Sequence, residues 1–545
     1  MANFGKTTND PHSYARPDQC LVTHIHLEIE IDFRRKVIAG FVDITCEKRS
    51  DECSVLVLDT QDLIVKRVQQ RQMSKELNFT LAEADPILGS KLEIQLGPDF
   101  ARDNSAKICV EYETSSSSSA LQWLTAQQTA GKLYPYLYSH CEPIHARSML
   151  PCQDTPTVKM PYSALVRAPK ELTVLMSAIR QGCDECGDGA TRVTKFAQEV
   201  PVPSYLIAIA VGAIESRKIG PRCAVLAEKE QLNLAVIDFA DTERMLCSAE
   251  SLVGPYLWGV YDLLVLPPSF PYGGMENPCL TFATPSLLIE TLGVDNPLTC
   301  LVPRLSGVHP DEAFSSVPYE KGHTFLYYLE TLLGGPEVFD KFLLAYIEKY
   351  KYQSVDTWQW KAYLYDYFKD KADILNRVEW EAWLHSPGMP PVIPSYSRAL
   401  VIPCEQLCAK WANPGTDSKS FSPEDISSLQ PGQRSLFLSL LLKERPLSAD
   451  QIQLLTKTYK MEEAGNAEIK FRWLRLGLRA KWDPVVPHVC QFLQTYGRMK
   501  FVCPLFRDLH SWEEKRQLTK KLFTELKPQM MHVVTLRLSK DLGLS

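Results

Sequence analysis

Pro271-Tyr272-Gly273-Gly274-Met275-Glu276-Asn277-Pro278-Cys279-Leu280 lies between two apolar extended runs, and its reading organises the rest of the chain. Upstream, Tyr261-Asp262-Leu263-Leu264-Val265-Leu266 reads as a buried strand. Pro267-Pro268 and Gly273-Gly274 then force turns, and Cys279-Leu280-Thr281-Phe282 resumes an extended edge. Adjacent glycines let a backbone approach a bound chain closely, and Glu276 just beyond them can pair with an amine or act as acid or base. By itself a Gly-Gly turn beside a solvated Glu is the commoner event, so the surrounding sequence has to decide.

Toward the N-terminus the texture is strand after strand. Ile25, Leu27, Ile29, Ile31 and Phe33 alternate with polar residues at period two. Val55-Leu56-Val57-Leu58, Leu92-Glu93-Ile94-Gln95-Leu96 and Ile108-Cys109-Val110-Glu111-Tyr112 continue the pattern, with the serines Ser115 to Ser119 as a loop. A β-sandwich-like domain over 1–213 follows. A mixed α/β stretch over 214–386 includes the helical spacing of His323 to Glu330, and the proline-rich 387–397 forbids helix and marks a boundary. Beyond it, 398–545 reads as helices. Ser422-Pro423 is a helix start, Ser448 to Gln451 a capping box, and Ile452, Leu455 and Tyr459 share one face, as do Ile469, Trp473 and Leu476. The expected fold class is multidomain α+β: an N-terminal β-sandwich-like domain, an α/β middle domain and a C-terminal α-solenoid.

Composition narrows the function classes. A net charge of -6 argues against a nucleic-acid surface. The longest apolar stretch, around Tyr205 to Ile214, is too short to span a bilayer, and no signal-like apolar segment follows Met1, so a cytoplasmic location is expected. Sixteen scattered cysteines read as buried small apolar residues, and Cys183-Asp184-Glu185-Cys186 as a plain loop.

The loop around Gly273 resembles the exopeptidase loop of the gluzincin zinc aminopeptidases. Leu121-Gln122-Trp123-Leu124, Leu150-Pro151-Cys152-Gln153-Asp154-Thr155-Pro156, Ser315-Ser316-Val317-Pro318-Tyr319-Glu320-Lys321-Gly322 and Gly497-Arg498-Met499-Lys500-Phe501 are similar, in the same order, to the leukotriene A(4) hydrolase family. The resemblance covers nearly the whole chain. It implies a thermolysin-like catalytic domain over 214–386 and a cytosolic bifunctional enzyme that uses one zinc. That enzyme opens an allylic epoxide fatty acid to a leukotriene B and trims N-terminal residues from short peptides, so peptide and lipid-epoxide carboxylates are the implied partners. By the same resemblance Glu276 holds the peptide amine and helps open the epoxide, Asp311 directs water onto the lipid, and Tyr319 is the peptidase proton donor. Tyr272, Gly273, Gly274, Met275 and Asn277 line the substrate, and Arg498 and Lys500 receive its carboxylate, a task suited to the planar fork of Arg. Without the family, the pair reads as a helix end favoured by the macrodipole.

The metal centre is where the chain departs. The family pattern needs His-Glu-x-x-His on a helix, because residues four apart project from one face, and a Glu from a later helix. None of the eleven histidines lies four residues from another. After Thr284-Pro285-Ser286-Leu287-Leu288, the segment Ile289 to Val294 already resembles sequence well beyond those helices, so a block of roughly seventy residues is absent. No metal ligand is therefore assigned, although His309 is the best substitute, ahead of His24, His26, His140 and His145. Two smaller departures are Glu142-Pro143, where the family has Gln-Ala, and Phe314, where it has Tyr. The expectation is a deletion isoform or incomplete gene model with hydrolysis abolished or severely weakened. The alternatives are retained family activity, or a non-catalytic carboxylate-binding or regulatory isoform. Oligomeric state is not legible.

Overall fold

The computed structural model describes residues 10–50, 53–71, 74–97, 100, 105–283, 297–305, 307–313, 315–394, 397–413 and 415–544. The Leu288 to Val294 junction and Phe314 lie outside them. The chain divides into two compact units. One comprises residues up to 265 with 275–283 and 291–392; the other comprises 266–274, 284–290 and 393–545.

In the first unit, alternation produces a pleated sheet with one buried face. Ile25, Leu27, Ile29 and Ile31 are buried on the strand Cys20–Asp32, while His26, Glu28 and Glu30 point the other way. This strand runs antiparallel to Val37–Lys48 and parallel to Met160–Pro169, at the centre of an eight-stranded sheet. Its apolar face shares a core with Leu56, Leu58, Leu92 and Ile94 of a three-stranded sheet. Val174, Val211 and Leu137, from a four-stranded sheet, join the same core. The sandwich-like reading of the first two hundred residues is thereby met. Of Cys183 to Cys186, expected as a loop, the residues Cys183, Asp184 and Glu185 instead form the end of the strand Ile179–Glu185, paired with Thr191–Val202, because flanking polar residues suit an exposed edge as well as a turn.

The mixed region follows. Asp262–Val265 lies parallel to Ala224–Glu228 on one side and to Leu280–Ala283 on the other, in a five-stranded sheet whose edge strand includes Met275. The helix Val317–Leu333 begins with Pro318 in its first turn and ends at Gly334, whose φ of 115° only glycine adopts easily. Its Phe325, Leu329 and Leu333 pack with Phe342, Leu364 and Trp383 in a separate core.

The second unit carries the C-terminal helices, from Ile402–Ala412 to His532–Asp541. The Ser448 capping box forms: Ser448 Oγ accepts from Gln451 N at 3.2 Å, and Gln451 Oε1 accepts from Ser448 N at 3.0 Å. Ile452, Leu455, Trp473 and Leu476 are buried. Ser422-Pro423 opens only a single turn, Glu424–Ser427, because Pro431 begins a new helix shortly after.

The same unit contains residues 266–274. Gly497 N donates to Pro268 O at 2.9 Å and Met499 N donates to Pro271 O at 3.0 Å. The close approach depends on Gly497: a Cβ there would sit 2.7 Å from Ser269 O.

Candidate active-site residues

In the first unit, Glu276 is exposed, while Met275 and Asn277 are buried beside it. Asn277 Nδ2 is buried with no hydrogen-bond partner among the described residues. Three other side chains respond to the Glu276 charge. Glu142 is raised above the ordinary carboxylate range, by burial first and then by repulsion from Glu276 and Asp311. Tyr205 and Tyr319 are raised by burial and then by Glu142 and Glu276. Tyr319, third residue of the helix Val317–Leu333, is otherwise open to solvent. Glu142 thus adds a second carboxylate to an acidic patch with Glu276 that can hold an ammonium group. Tyr205 was missed by the sequence reading, since nothing in Val202-Pro203-Ser204-Tyr205 marks a site.

Asp311 is buried in the short helix Pro310–Ala313. His145 Nε2 lies 3.1 Å from Asp311 Oδ2, and His309 Nδ1 lies 3.7 Å from the same oxygen. Burial alone pushes the Asp311 carboxyl up, but the His145 hydrogen bond and the charges of His145 and His309 outweigh it and hold it below the usual range. His140, fully enclosed, is pushed down to about 3 by burial and then by His145. The other ring nitrogen of His145, Nδ1, contacts Ser119 Oγ at 2.8 Å, and the Ser119 hydroxyl donates to Ser148 at 3.2 Å. Ser119 is accordingly a buried support in a stretch that sequence assigned only to a loop.

This arrangement does not fit zinc. A zinc site needs three or four donors aimed at one centre about 2.0–2.3 Å away. Among the described residues both nitrogens of His145 are committed, one to Ser119 and one to Asp311, and His309 Nδ1 accepts the Asp311 backbone N–H at 3.2 Å. Among the described residues no three His, Cys, Asp or Glu side chains are grouped to hold a metal. His24 and His26 sit on the strand Cys20–Asp32, where His26 Nδ1 contacts Ser163 Oγ at 2.8 Å.

In the second unit, Arg498 is the N-cap of the helix Met499–Ser511 and Lys500 lies in its first turn. The dipole-favoured helix-end reading fails, because cations are favoured at helix C-termini and these occupy an N-terminus. Their support is Glu468, which the sequence reading missed. Lys500 donates to Glu468 Oε1, Arg498 Nη1 lies 3.9 Å from that oxygen, and Arg472 Nη1 lies 2.6 Å from Oε2. Both Arg498 and Lys500 are buried. One carboxylate is therefore shared by three cations at a helix N-terminus, the end of a helix that favours an anion. Tyr272 is buried, and a Cβ on Gly273 would meet Arg498 Nη2 at 2.8 Å, so the bare Gly273 accommodates the guanidinium. Gly274 is exposed.

The chain matches three family descriptions in sequence order: "Peptidase M1 N-terminal domain" over residues 11–206, "Peptidase family M1 domain" over 290–383, and "Leukotriene A4 hydrolase, C-terminal" over 429–542. It belongs to the M1 peptidases and, within them, to the leukotriene A4 hydrolase family. It is 42% identical to a leukotriene A-4 hydrolase of Xenopus laevis, over 98% of this chain and 99% of that protein. It is 34% identical to a leucine aminopeptidase 2 of Aspergillus fumigatus, covering 95% of each. Among solved structures, a yeast LTA4 hydrolase in complex with bestatin superposes with a TM-score of 0.91 at 30% identity, over 100% of this chain and 99% of that one. None of the described helices is long and apolar enough to cross a membrane.

Proposed function

We propose that this chain keeps the substrate-holding groups of its family but has lost, or nearly lost, zinc-dependent hydrolysis of peptides and lipid epoxides. The observation that carries the reading is the set around Asp311, in which both nitrogens of His145 and the Nδ1 of His309 are taken by Asp311 and Ser119. The sequence supports it, since no His-Glu-x-x-His occurs. So does the alignment with the Xenopus relative, which runs over 607 positions although this chain has 545 residues, so that protein has positions with no counterpart here. Zinc in this family polarises the reacting oxygen and lowers the pKa of bound water, contributing several kcal/mol that carboxylates alone do not replace. In this reading Glu276, with Glu142 beside it, holds a peptide amine in the cytoplasm, Tyr319 and Asp311 remain as unused partners, and residues 1–213, 214–386 and 398–545 keep the family's three-domain plan. Metal analysis of the purified protein together with hydrolysis of an alanyl anilide tests it. One tightly bound zinc per chain, with hydrolysis lost on chelation and in Glu276→Gln, defeats the proposal in favour of retained aminopeptidase activity.

A second reading, of a non-catalytic carboxylate-binding protein, is favoured by the grouping of buried Arg498 and Lys500 with half-buried Arg472 around Glu468 at the N-terminus of the helix Met499–Ser511. The ligand class is a peptide or lipid carboxylate. Calorimetry with the dipeptide alanyl-leucine, against an Arg498→Ala control, tests it; absence of heat in both proteins removes the idea.

A further inference from the structure

A cleft of about 440 Å³ opens in the first unit, within the size range of small-molecule sites. Its walls are mostly apolar: Val202 at the end of the strand Thr191–Val202, Leu206 in the short turn Ser204–Leu206 after it, Leu246 and Val253 on the helix Thr242–Val253, Trp258 in the following loop, and Ile347 on the helix Pro336–Tyr350. Leu257, Ile347 and Tyr352 at the cleft remain exposed, so apolar surface continues outward from the cavity.

Three charged residues also line it, and only one lacks an opposite charge. Glu250 is spent on Arg222, at 2.8 and 2.9 Å, and on Tyr256 N–H at 2.8 Å. Lys351 pairs with Glu348 at 2.8 Å. Lys159 donates only to neutral oxygens, Ser354 Oγ at 3.1 Å and Pro156 O at 3.3 Å, and no carboxylate among the described residues lies within ion-pair distance of its Nζ. Burial pushes its pKa down with no carboxylate opposing the shift, the mark of a cation held partly out of water without a counter-charge. A partly desolvated ammonium beside an apolar cavity is completed by an anion that brings its own apolar body.

We infer that this cleft binds an apolar monoanion, of the class of a medium-chain carboxylate, with the acyl body between Leu246, Val253 and Trp258 and the head on Lys159. Charge selects the head and the walls select the body. Asp311, His145 and His309 do not line this cleft, although Tyr205, which senses Glu142 and Glu276, does.

Calorimetry of the full chain with decanoate tests the proposal, using decanol and decyltrimethylammonium as probes with the same body and a different head. Decanoate is expected to bind one site per chain. Lys159→Gln is expected to weaken decanoate about tenfold while leaving decanol unchanged, and Leu246→Trp, which fills the cavity, to remove both. Equal affinity for the ammonium and carboxylate probes, or equal losses of decanoate and decanol in Lys159→Gln, overturns the assignment of the anionic head. Absence of decanoate binding to a chain with an intact thermal transition overturns the site. Sedimentation showing that the wild-type chain self-associates and that Leu246→Trp returns it to monomer makes a second copy the occupant, and likewise overturns it.

Discussion

Lys500 donates to Glu468, thirty-two residues earlier in the chain, and shares that carboxylate with Arg498 and Arg472. Burial pushes the Lys500 ammonium down to about 8, although Glu468 pulls it back up. The sign of the consequence follows from linkage. An unfolded lysine releases its proton near pH 10.4, so between about 8 and about 10.4 the unfolded chain holds a proton that the folded chain has shed, and stability rises with pH across that window. Urea unfolding of the helical unit at several pH values is expected to show this rise, and Lys500→Met to abolish it. Glu468→Gln should extend the window to lower pH. Identical pH slopes in wild type and Lys500→Met sink the argument. Carboxylate binding at Arg498 and Lys500 should also weaken above about pH 8, where the ammonium is lost.

Asp311 has the opposite sign. Its folded pKa lies below the ordinary value because His145 and His309 outweigh its burial. Its contribution to stability is therefore fully present above the ordinary aspartate pKa, about 3.9, and is lost as pH falls through the folded value. Asp311→Ala leaves His145 Nε2 buried and unmatched, at an expected cost of about 1–3 kcal/mol near neutral pH. Acid titration of the first unit, followed by circular dichroism, should show a smaller loss in the variant as pH falls below about 3.9; an unchanged acid midpoint and unchanged neutral stability contradict the pairing.

Much of this was legible from local pattern, and what was missed has a common cause. Period-two alternation from Ile25 to Ile31 requires one buried face, and the strand Cys20–Asp32 buries it. Ser448 and Gln451 form a capping box because both partners lie within one turn. Glu468, by contrast, is an ordinary first-turn acid until the fold brings Lys500 to it, and Ser119 is an ordinary loop serine until His145 arrives. Such roles come from contacts between distant segments, which periodicity does not encode. The helix-dipole reading of Arg498 failed for a related reason: adjacent cations mark a helix end without saying which end.

Gly497 is the next test, because its importance is steric. A methyl group there would meet Ser269 O at 2.7 Å and Ser269 Cα at 2.8 Å, both backbone atoms that yield only if the 266–274 segment moves. Gly497→Ala is expected to destabilise the helical unit by about 1–3 kcal/mol. It should also weaken protection of the Gly497 and Met499 amides, which donate to Pro268 O and Pro271 O. Hydrogen exchange reads this directly, and protection equal to wild type at both amides excludes the proposed fit. Gly477→Ala is a useful contrast, since the atoms nearest its added Cβ, from 2.7 Å, are side-chain atoms of Val485 rather than backbone.

The division into two compact units predicts two thermal transitions, because separately packed cores need not melt together. Trp383 is fully buried among Phe325, Tyr328 and Leu384 of the first unit, and Trp473 is fully buried in the helix Ala467–Arg479 of the second, its indole donating to Thr456 Oγ1 at 2.8 Å. Truncating either to Ala leaves a large cavity and costs about 3–5 kcal/mol. Trp383→Ala is therefore expected to lower one calorimetric transition and Trp473→Ala the other, each leaving its counterpart in place. Exposed apolar residues such as Leu234, Ile237 and Met245 belong to the first unit, so aggregation on heating should accompany the transition that Trp383→Ala shifts. A single transition displaced equally by both substitutions shows that the two units unfold as one and contradicts the prediction.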